Sequence, residues 1–323
     1  MNKLPVSLIC TVKNEEESIR ELLDSMLNQV ALPDEIIIVD GGSTDNTVQI
    51  IREYIRRGAP IKLIVKEGAN IAEGRNIAIR NSRNDIIAST DAGCVLDKNW
   101  IYEITKPLFE DPSVDVVIGW YEPLAATKFE EIAAELTYPK LKWVKKNLHK
   151  FLPSSRSVAF RKKCWERVGG YPEHLYTAED TVFDIEMKEA GCNFVFNPKA
   201  FVYWKVRPSL RSLFKAHYLY AKGDAEAGLY FIPYLIMSIL PFFITLLLIF
   251  LSVFYDSTMV FYLVLFLVAY VLFRAKKNEA SISKVIVWFP LSLLVVLSIM
   301  VANTFGYFSG LISSLAKKKR EAN

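Results

Sequence analysis

The stretch EIIIVDGGSTDNT, residues 35–47, decides how this chain is read. Residues 36–39 form a β-branched run that ends on Asp40. Gly41-Gly42-Ser43-Thr44 then turns the chain into a helical pattern in which Val48, Ile51 and Tyr54 or Ile55 share a face. In a parallel α/β sheet, ligands bind outside the C-terminal ends of the strands. Asp40 stands at such an end, and the two glycines let a ligand approach the backbone closely. The same pattern also serves as an ordinary β-to-α connection, so the stretch alone leaves both readings open.

Working outward, strand and helix alternate. Residues 5–12 read as a strand, and Asn14 with Glu17 has the spacing of a capping box. Ile19, Leu22, Leu23, Met26, Leu27 and Val30 follow at helical spacing. Strands are expected at 61–65, 85–90 and 114–119, with helices at 71–82 and 98–109. This order predicts an α/β fold, a mostly parallel sheet with helices on both faces.

The chain has 323 residues, 52% of them hydrophobic, and the excess is local. Residues 227–255, 257–273 and 285–316 contain no charge. A helix needs roughly 20 apolar residues to cross a bilayer. The division expected is a catalytic domain at 1–204, an amphipathic interfacial helix at 205–226, a transmembrane region at 227–316 and a basic tail at 317–323. Spans are expected near 229–254, 257–273 and 285–315. Beyond Gly228, eight Lys/Arg face three Asp/Glu, so the net charge of +4 flanks the apolar segments and gives no support to nucleic-acid binding. Nothing before residue 5 reads as a signal peptide, so the first domain is expected to be cytoplasmic. Lys205, Arg207, Arg211, Lys215 and Lys222 before the first span, and Arg274, Lys276, Lys277 and Lys284 after the second, agree with a multi-pass protein of the cell membrane. The last apolar segment is interrupted by Asn303, Thr304, Gly306 and Gly310. It fits either a third span or a broken, re-entrant hairpin. Cys10, Cys94, Cys164 and Cys192 are isolated in sequence and read as reduced thiols.

Three further constellations lie where such a sheet places chemistry. Thr90-Asp91-Ala92-Gly93-Cys94 ends a strand; an acid there holds a cation or a ribose, or merely starts a turn. Glu73-Gly74-Arg75-Asn76 opens a helix, and Arg75 has the geometry to grip a diphosphate or to sit solvated on the surface. Thr177-Ala178-Glu179-Asp180 has capping-box spacing, and Asp180 is equally a candidate general base with Glu179 tuning it.

Taken in order, these motifs resemble the inverting glycosyltransferases of family 2, with their GT-A nucleotide-sugar-binding fold. The resemblance runs from Val6-Ser7-Leu8-Ile9 and Lys13-Asn14-Glu15 through VDGGSTDNT, GRNIAI and TDAGC. It continues in Ser157-Val158-Ala159-Phe160, Val168-Gly169-Gly170-Tyr171-Pro172-Glu173 and TAED, and covers residues 5–225. It implies that Thr11, Lys13 and Glu15 line the nucleotide pocket with Gly42 and Gly74, that Asp40 accepts a hydrogen bond from a uracil base, and that Arg75 meets the phosphates. Asp91, with Ala92 beside it, takes the first place of the family's DxD motif and would contact Mg²⁺ or Mn²⁺; Gly93 stands where the second acid is usual. Asp180 matches the base. Arg207 and Arg211 match the basic motif that membrane-bound members place over the donor diphosphate.

The implied partners are a nucleotide-sugar donor, a UDP-sugar, and a membrane-associated acceptor such as a lipid-linked saccharide, with membrane lipids around the spans; an oligomer stays open. Alternatives are transfer to a polyprenyl phosphate, a processive polysaccharide synthase and a catalytically silent nucleotide-binding scaffold. A dinucleotide oxidoreductase is excluded, because residues 10–14 hold no glycine.

Overall fold

The computed structural model describes residues 3–321 and falls into two compact units. The first comprises Met1–Leu124 and Asn147–Lys205. In chain order it contains β1 (Lys3–Val12), α1 (Ile19–Leu27), β2 (Leu32–Asp40), α2 (Thr47–Arg56), β3 (Ile61–Val65), α3 (Ile71–Arg80), β4 (Ile86–Asp91), β5 (Cys94–Leu96), α4 (Trp100–Glu110) and β6 (Val116–Leu124). In the second unit, α5 (Lys128–Thr137) and α6 (Leu141–Lys146) follow. The chain then returns to the first unit for β7 (Val158–Arg161), α7 (Lys162–Val168), α8 (Glu179–Glu189) and β8 (Phe194–Lys205).

The sheet runs β3-β2-β1-β4-β7-β6-β8-β5. Its first four strands are parallel neighbours, as the repeated βα order predicts. Covered on both faces, such strands read as continuous apolar runs, and five successive residues of β2 ending at Asp40 are buried. Beyond β4 the sheet is mixed: β7 is antiparallel to β4 and β6, while β6 and β8 are parallel. The sheet is therefore less uniformly parallel than the sequence pattern suggests. Helices α3, α7 and α8 close one face through Ala72, Ala78, Ile79, Cys164, Phe183 and Met187, packed with Ile9, Ile37, Val39, Ile87, Val116 and Phe160.

Several local expectations give way. Asn14 does not cap α1; it takes a left-handed conformation (φ 55°) and its side chain accepts the Thr44 N–H at 2.8 Å. The helix begins at Ile19, and Val30 lies beyond its end, 58% exposed. The Cys192 thiol donates to Cys164 Sγ at 2.7 Å, so two cysteines that are isolated in sequence are neighbours in space, and both are free.

The second unit comprises Ala125–Lys146 and Val206–Asn323, of which 322–323 and so the end of the basic tail lie outside the described residues. The expected 1–204 domain thus differs in one respect: residues 125–146 fold with the C-terminal helices. The reason is the apolar face of α5, where Ile132, Ala133 and Leu136 are buried in a cluster with Val271, Val285, Val295 and Ile299. The unit continues with α9 (Leu210–Glu226), α10 (Phe231–Tyr234), a π-helical turn at Leu235–Ile239, α11 (Leu240–Phe254), α12 (Met259–Lys277), α13 (Ile282–Val287) and α14 (Phe289–Glu321). Among the described residues, three stretches are long and apolar enough to cross a membrane: Phe231–Phe254, Met259–Lys277 and Phe289–Lys317.

α14 is one unbroken helix of 33 residues, so a re-entrant break at Gly306 and Gly310 does not occur. These glycines serve close packing instead. A Cβ on Gly306 would fall 2.2 Å from the Tyr218 carbonyl oxygen, and one on Gly310 2.2 Å from that of Lys222. Small residues four apart let two helix backbones approach in this way, and α9 answers with buried Ala221, Gly223 and Ala225. Gly310→Leu should separate α9 from α14 and destabilise the protein by about 1–3 kcal/mol, the usual range for overpacking. Thermal unfolding in detergent checks this; an unchanged midpoint would show that the helices can part without loss.

Candidate active site

The parallel register sets the ends of β1, β2 and β4 side by side. Thr11 is level with Val39 and Asp91, and Val12 with Asp40. Gly74 of α3 lies against this row, where a Cβ would come 2.7 Å from Thr11 Cγ2. Gly41 is equally confined, since its Cβ would sit 2.8 Å from the Ala69 carbonyl oxygen, with Lys13 Cδ at 3.5 Å. Lys13 itself is exposed at the mouth of the strand ends. Glu15 is half-buried; its N–H donates to Thr47 Oγ1 at 2.7 Å, and its carboxylate accepts the Ser18 hydroxyl.

Asp40 is fully buried, and its carboxylate turns back on its own loop. Oδ1 accepts the N–H groups of Gly42 (2.9 Å) and Ser43 (2.8 Å), and Oδ2 accepts the Ser43 hydroxyl. Gly42, at φ 85°, supplies a conformation that L side chains rarely adopt. The carboxylate thereby holds the Gly-Gly-Ser turn in shape.

Arg75 likewise bonds within the protein. It is 3% exposed, and its guanidinium donates from Nη2 to Asp91 Oδ1 and from Nη1 to Glu179 Oε1, both at 2.7 Å. Its planar fork thereby ties the end of β4 to the start of α8. The guanidinium also lies over the Tyr171 ring, 5.2 Å from the centroid. Burial works against its charge, yet the carboxylates of Asp91 and then Glu179 hold its pKa well above the ordinary value. Arg75 is thus not solvated, and in this structure it bridges the two acids.

At the start of α8 the N-cap is Ala178, left-handed at φ 66°, and no side chain caps the helix. Ala178 thus takes the N-cap place that the Thr177–Asp180 spacing suggests for Thr177. Glu179 is 6% exposed and Asp180 is half-buried, with Oδ1 accepting the Thr181 N–H at 2.8 Å. Burial, and then the neighbouring Asp180, push the Glu179 carboxyl up to about 7 against the pull of Arg75. One turn on, Asp184 is 4% exposed and its Oδ2 has no hydrogen-bond partner among the described residues. Burial, then Asp180, raise its pKa well above the carboxylate range. Of these three acids, Asp180 is the one that solvent reaches most easily.

Sequence reasoning missed the residues that brace this set. Asn76 uses its whole amide: Nδ2 donates to the Tyr171 carbonyl and to Glu173 Oε1, each at 2.8 Å, and Oδ1 accepts Trp165 Nε1–H at 2.9 Å and the Tyr171 N–H at 2.8 Å. That clamps the Gly-Gly-Tyr-Pro-Glu loop to α3 and sets Tyr171 beneath Arg75. Ser157 accepts Trp100 Nε1–H at 2.8 Å and donates to the Ala200 carbonyl at 2.9 Å, which joins α4, β8 and the approach to β7. The only signal in sequence was membership of these residues in the motifs.

The donor set at Asp91 suits a divalent cation held largely by a ligand. Arg75 engages one carboxylate oxygen, and the Asp91 side chain keeps 23% exposure. Gly93, at φ 77°, adds no acid. Among the described residues the only cluster of three potential metal ligands is Asp115, Cys164 and Cys192, away from the strand ends that carry Asp91. One carboxylate with diphosphate oxygens and water is an arrangement Mg²⁺ accepts; a preformed protein cage is not present among these residues. Ala92 is half-buried in the same turn. Arg207 and Arg211 belong to the helical unit, where Ser209 and Ser212 cap α9 between and beside them.

A family model described as "Glycosyl transferase family 2" matches residues 7–169, the part of the chain that carries β1, the Asp40 turn, Arg75 and Asp91. The chain belongs to glycosyltransferase family 2. It is 28% identical over 225 residues to a probable glycosyltransferase, YdaM, of Bacillus subtilis, covering 64% of this chain and 52% of that protein. It is 26% identical over 209 residues to the O-antigen chain rhamnosyltransferase RfbN of Salmonella typhimurium, covering 62% and 66%. The chain thus spans between half and two thirds of the length of these relatives. In fold it is similar to a mannosyltransferase of Pyrobaculum calidifontis solved with GDP-mannose and Mn²⁺, at a TM-score of 0.56 and 17% identity, covering 97% of this chain and 88% of the other.

Proposed function

We propose that the protein is an inverting, membrane-associated glycosyltransferase. It moves a sugar from a nucleotide-sugar to a hydroxyl of a membrane-held acceptor, a lipid-linked saccharide. The observation that carries this is the Asp91–Arg75–Glu179 chain at the strand ends, with Asp180 next in sequence and half-buried. Asp180 removes the proton from the acceptor hydroxyl as its oxygen attacks the anomeric carbon. The bond from that carbon to the donor phosphate breaks on the opposite face, and the nucleoside diphosphate leaves. Arg75 keeps Glu179 and Asp91 in place, and the Asp40 turn shapes the nucleotide end.

A divalent cation at Asp91, Mg²⁺ or Mn²⁺, would neutralise charge on the departing diphosphate. The mannosyltransferase solved with GDP-mannose and Mn²⁺ supports a nucleotide-sugar and a metal in this fold. UDP-sugars are the donors the sequence resemblance implies. Arg207 and Arg211 are proposed for the diphosphate on that resemblance alone.

In the membrane, α11 and α12 form the crossing hairpin. α14 lies instead along the interface, because its Gly306–Gly310 face is packed on α9, which carries Arg211, Lys215, Lys222, Asp224 and Glu226. This arrangement leaves the basic tail on the cytoplasmic side, as the positive-inside rule requires.

The test is a donor panel of UDP-sugars and GDP-mannose incubated with the full chain and native membrane lipids, with mass analysis of the lipid fraction. One donor should yield a lipid product heavier by one sugar. Chelation by EDTA should lower the rate at least about a hundredfold, and Mn²⁺ or Mg²⁺ should restore it. A panel with no donor consumed would leave a nucleotide-binding scaffold as the better account.

A further inference from the structure

The helical unit contains a cavity of about 380 Å³ that the glycosyl-transfer chemistry does not use. It is lined by Arg274 and Lys277 from α12, His217 and Asp224 from α9, Ser238 from the π turn and Asn303 from α14. It adjoins a second groove of about 430 Å³, lined by Ile232, Pro233, Ile236, Met237 and Phe273, with Lys277 at its edge. Pro233, Met237 and Lys277 belong to both.

The local chain geometry explains how a cation comes to face this space. Pro241 has no N–H to give the Met237 carbonyl four residues before it. The helix widens to a π turn over Leu235–Ile239, a form concentrated at functional sites. The Met237 carbonyl instead accepts the Tyr270 hydroxyl at 2.6 Å and Arg274 Nη1–H at 3.4 Å.

Basic residues at the end of a membrane helix normally extend toward water as topological anchors. Lys276 and Lys277 are exposed in that way, but Arg274 is 8% exposed. Its Nε has no hydrogen-bond partner, and no carboxylate pairs with it among the described residues. Asp224, the acid on the cavity wall, accepts the Tyr234 hydroxyl at 2.7 Å. Burial, and then Arg274, hold His217 down to about 4, so it adds no charge near neutrality. A buried guanidinium answered by the Tyr270 hydroxyl and one long carbonyl contact, with no carboxylate, is costly unless an anion completes it.

We infer that this cavity binds the phosphate headgroup of a membrane lipid, with Arg274 and Lys277 as its cationic contacts and the adjoining apolar groove holding the start of the lipid chain. Arg274 sits one turn inside the end of its span, the depth at which headgroups meet acyl or prenyl chains. Guanidinium geometry suits phosphate oxygens, and Asn303 and Ser238, joined by a 3.3 Å hydrogen bond, offer polar neighbours. Binding itself is independent of the chemistry at Asp180. Only the extension that this lipid is the acceptor, or carries it, rests on the proposed function.

The test uses the full chain in phosphatidylcholine nanodiscs containing either a polyprenyl phosphate or phosphatidylglycerol, with native mass spectrometry of the lipid retained on extraction. One anionic lipid per chain should be retained, and Arg274→Gln should weaken retention about tenfold or more. Lys277→Gln, at an exposed position that the fold does not need, should weaken it several-fold, so the proposal can be judged even if the Arg274 variant fails to fold. Ile236→Trp, which fills the apolar groove, should reduce lipid retention further. Preference for the polyprenyl phosphate would identify the acceptor class, and preference for phosphatidylglycerol a structural lipid; either supports the site. Hydrolysis of the nucleotide-sugar with water as acceptor, measured in parallel, should be unchanged in these variants, so a failed lipid site and a failed catalytic assignment give different results. Equal retention by wild type and Lys277→Gln, retention of phosphatidylcholine as firmly as of the anionic lipids, or full displacement by inorganic phosphate would overturn the inference.

Discussion

Asp180→Asn should reduce transfer to the acceptor hydroxyl by about 10²–10⁴-fold, the range general-base assistance usually supplies. The substitution keeps the shape of the side chain, and its amide oxygen can still accept the Thr181 N–H that Asp180 Oδ1 accepts at 2.8 Å. α8 does not depend on this residue for a cap, since Ala178 occupies that position. The variant should therefore fold normally and bind donor with unchanged affinity, and only the transfer rate should fall. Initial rates with saturating donor, beside calorimetric donor binding, separate the two effects. The same variant discriminates acceptors. A polyprenyl phosphate oxygen is already ionised near neutrality and needs no base, so retained transfer would move the assignment from a hydroxyl to a phosphate acceptor.

Arg75→Leu should be the most damaging single change to the catalytic unit. It leaves Glu179 buried and Asp91 half-buried with no cation between them, and breaking a buried pair in this way costs about 3–5 kcal/mol. Loss of the guanidinium over Tyr171 adds to that.

The effect should depend on pH with a definite sign. In the native protein Glu179 is pushed up to about 7, above the ordinary carboxylate value, so the folded state holds its proton more tightly than the unfolded chain does. The stability this group contributes is present below its unfolded pKa and is lost as pH rises toward 7. Without Arg75 the ionised form loses its partner, so the cost of the substitution should be smaller near about pH 5 than near about pH 8. Urea unfolding at the two pH values measures this. Arg75→Lys retains the charge without the two-pronged geometry and should fall between. A cost independent of pH would show that Glu179 is not the partner that matters.

The parallel half of the sheet was legible because its strands are buried on both faces and its turns carry acids and glycines at the strand ends. The Asp40 turn, the TDAG strand end and the start of α8 could each be located from sequence. The direction in which their side chains point could not be. Asp40 closes its own loop and Arg75 bridges two acids, contacts that spacing does not announce. Sequence spacing carries no information about which partner a charged side chain meets when that partner lies 104 residues away, as Glu179 does from Arg75.

β8 escaped notice for another reason. Asn197-Pro198 interrupts its apolar run, and its pairing with β6 shifts register between Ile118 and Trp120. The inclusion of α5 with the C-terminal helices was hidden because an amphipathic face does not announce which apolar surface will cover it. Gly306 and Gly310 looked like helix breakers, and only the backbone of α9 beside them shows that they serve close packing.

The central claim is transfer from a nucleotide-sugar with inversion at the anomeric carbon. The most direct measurement is proton NMR of the sugar released at early times from an α-linked donor, followed in the full chain with Mn²⁺ and compared with Asp180→Asn. The account predicts that the β-anomer appears first and that the variant slows its formation. Release of the α-anomer first, or release at the same rate from Asp180→Asn, would contradict it.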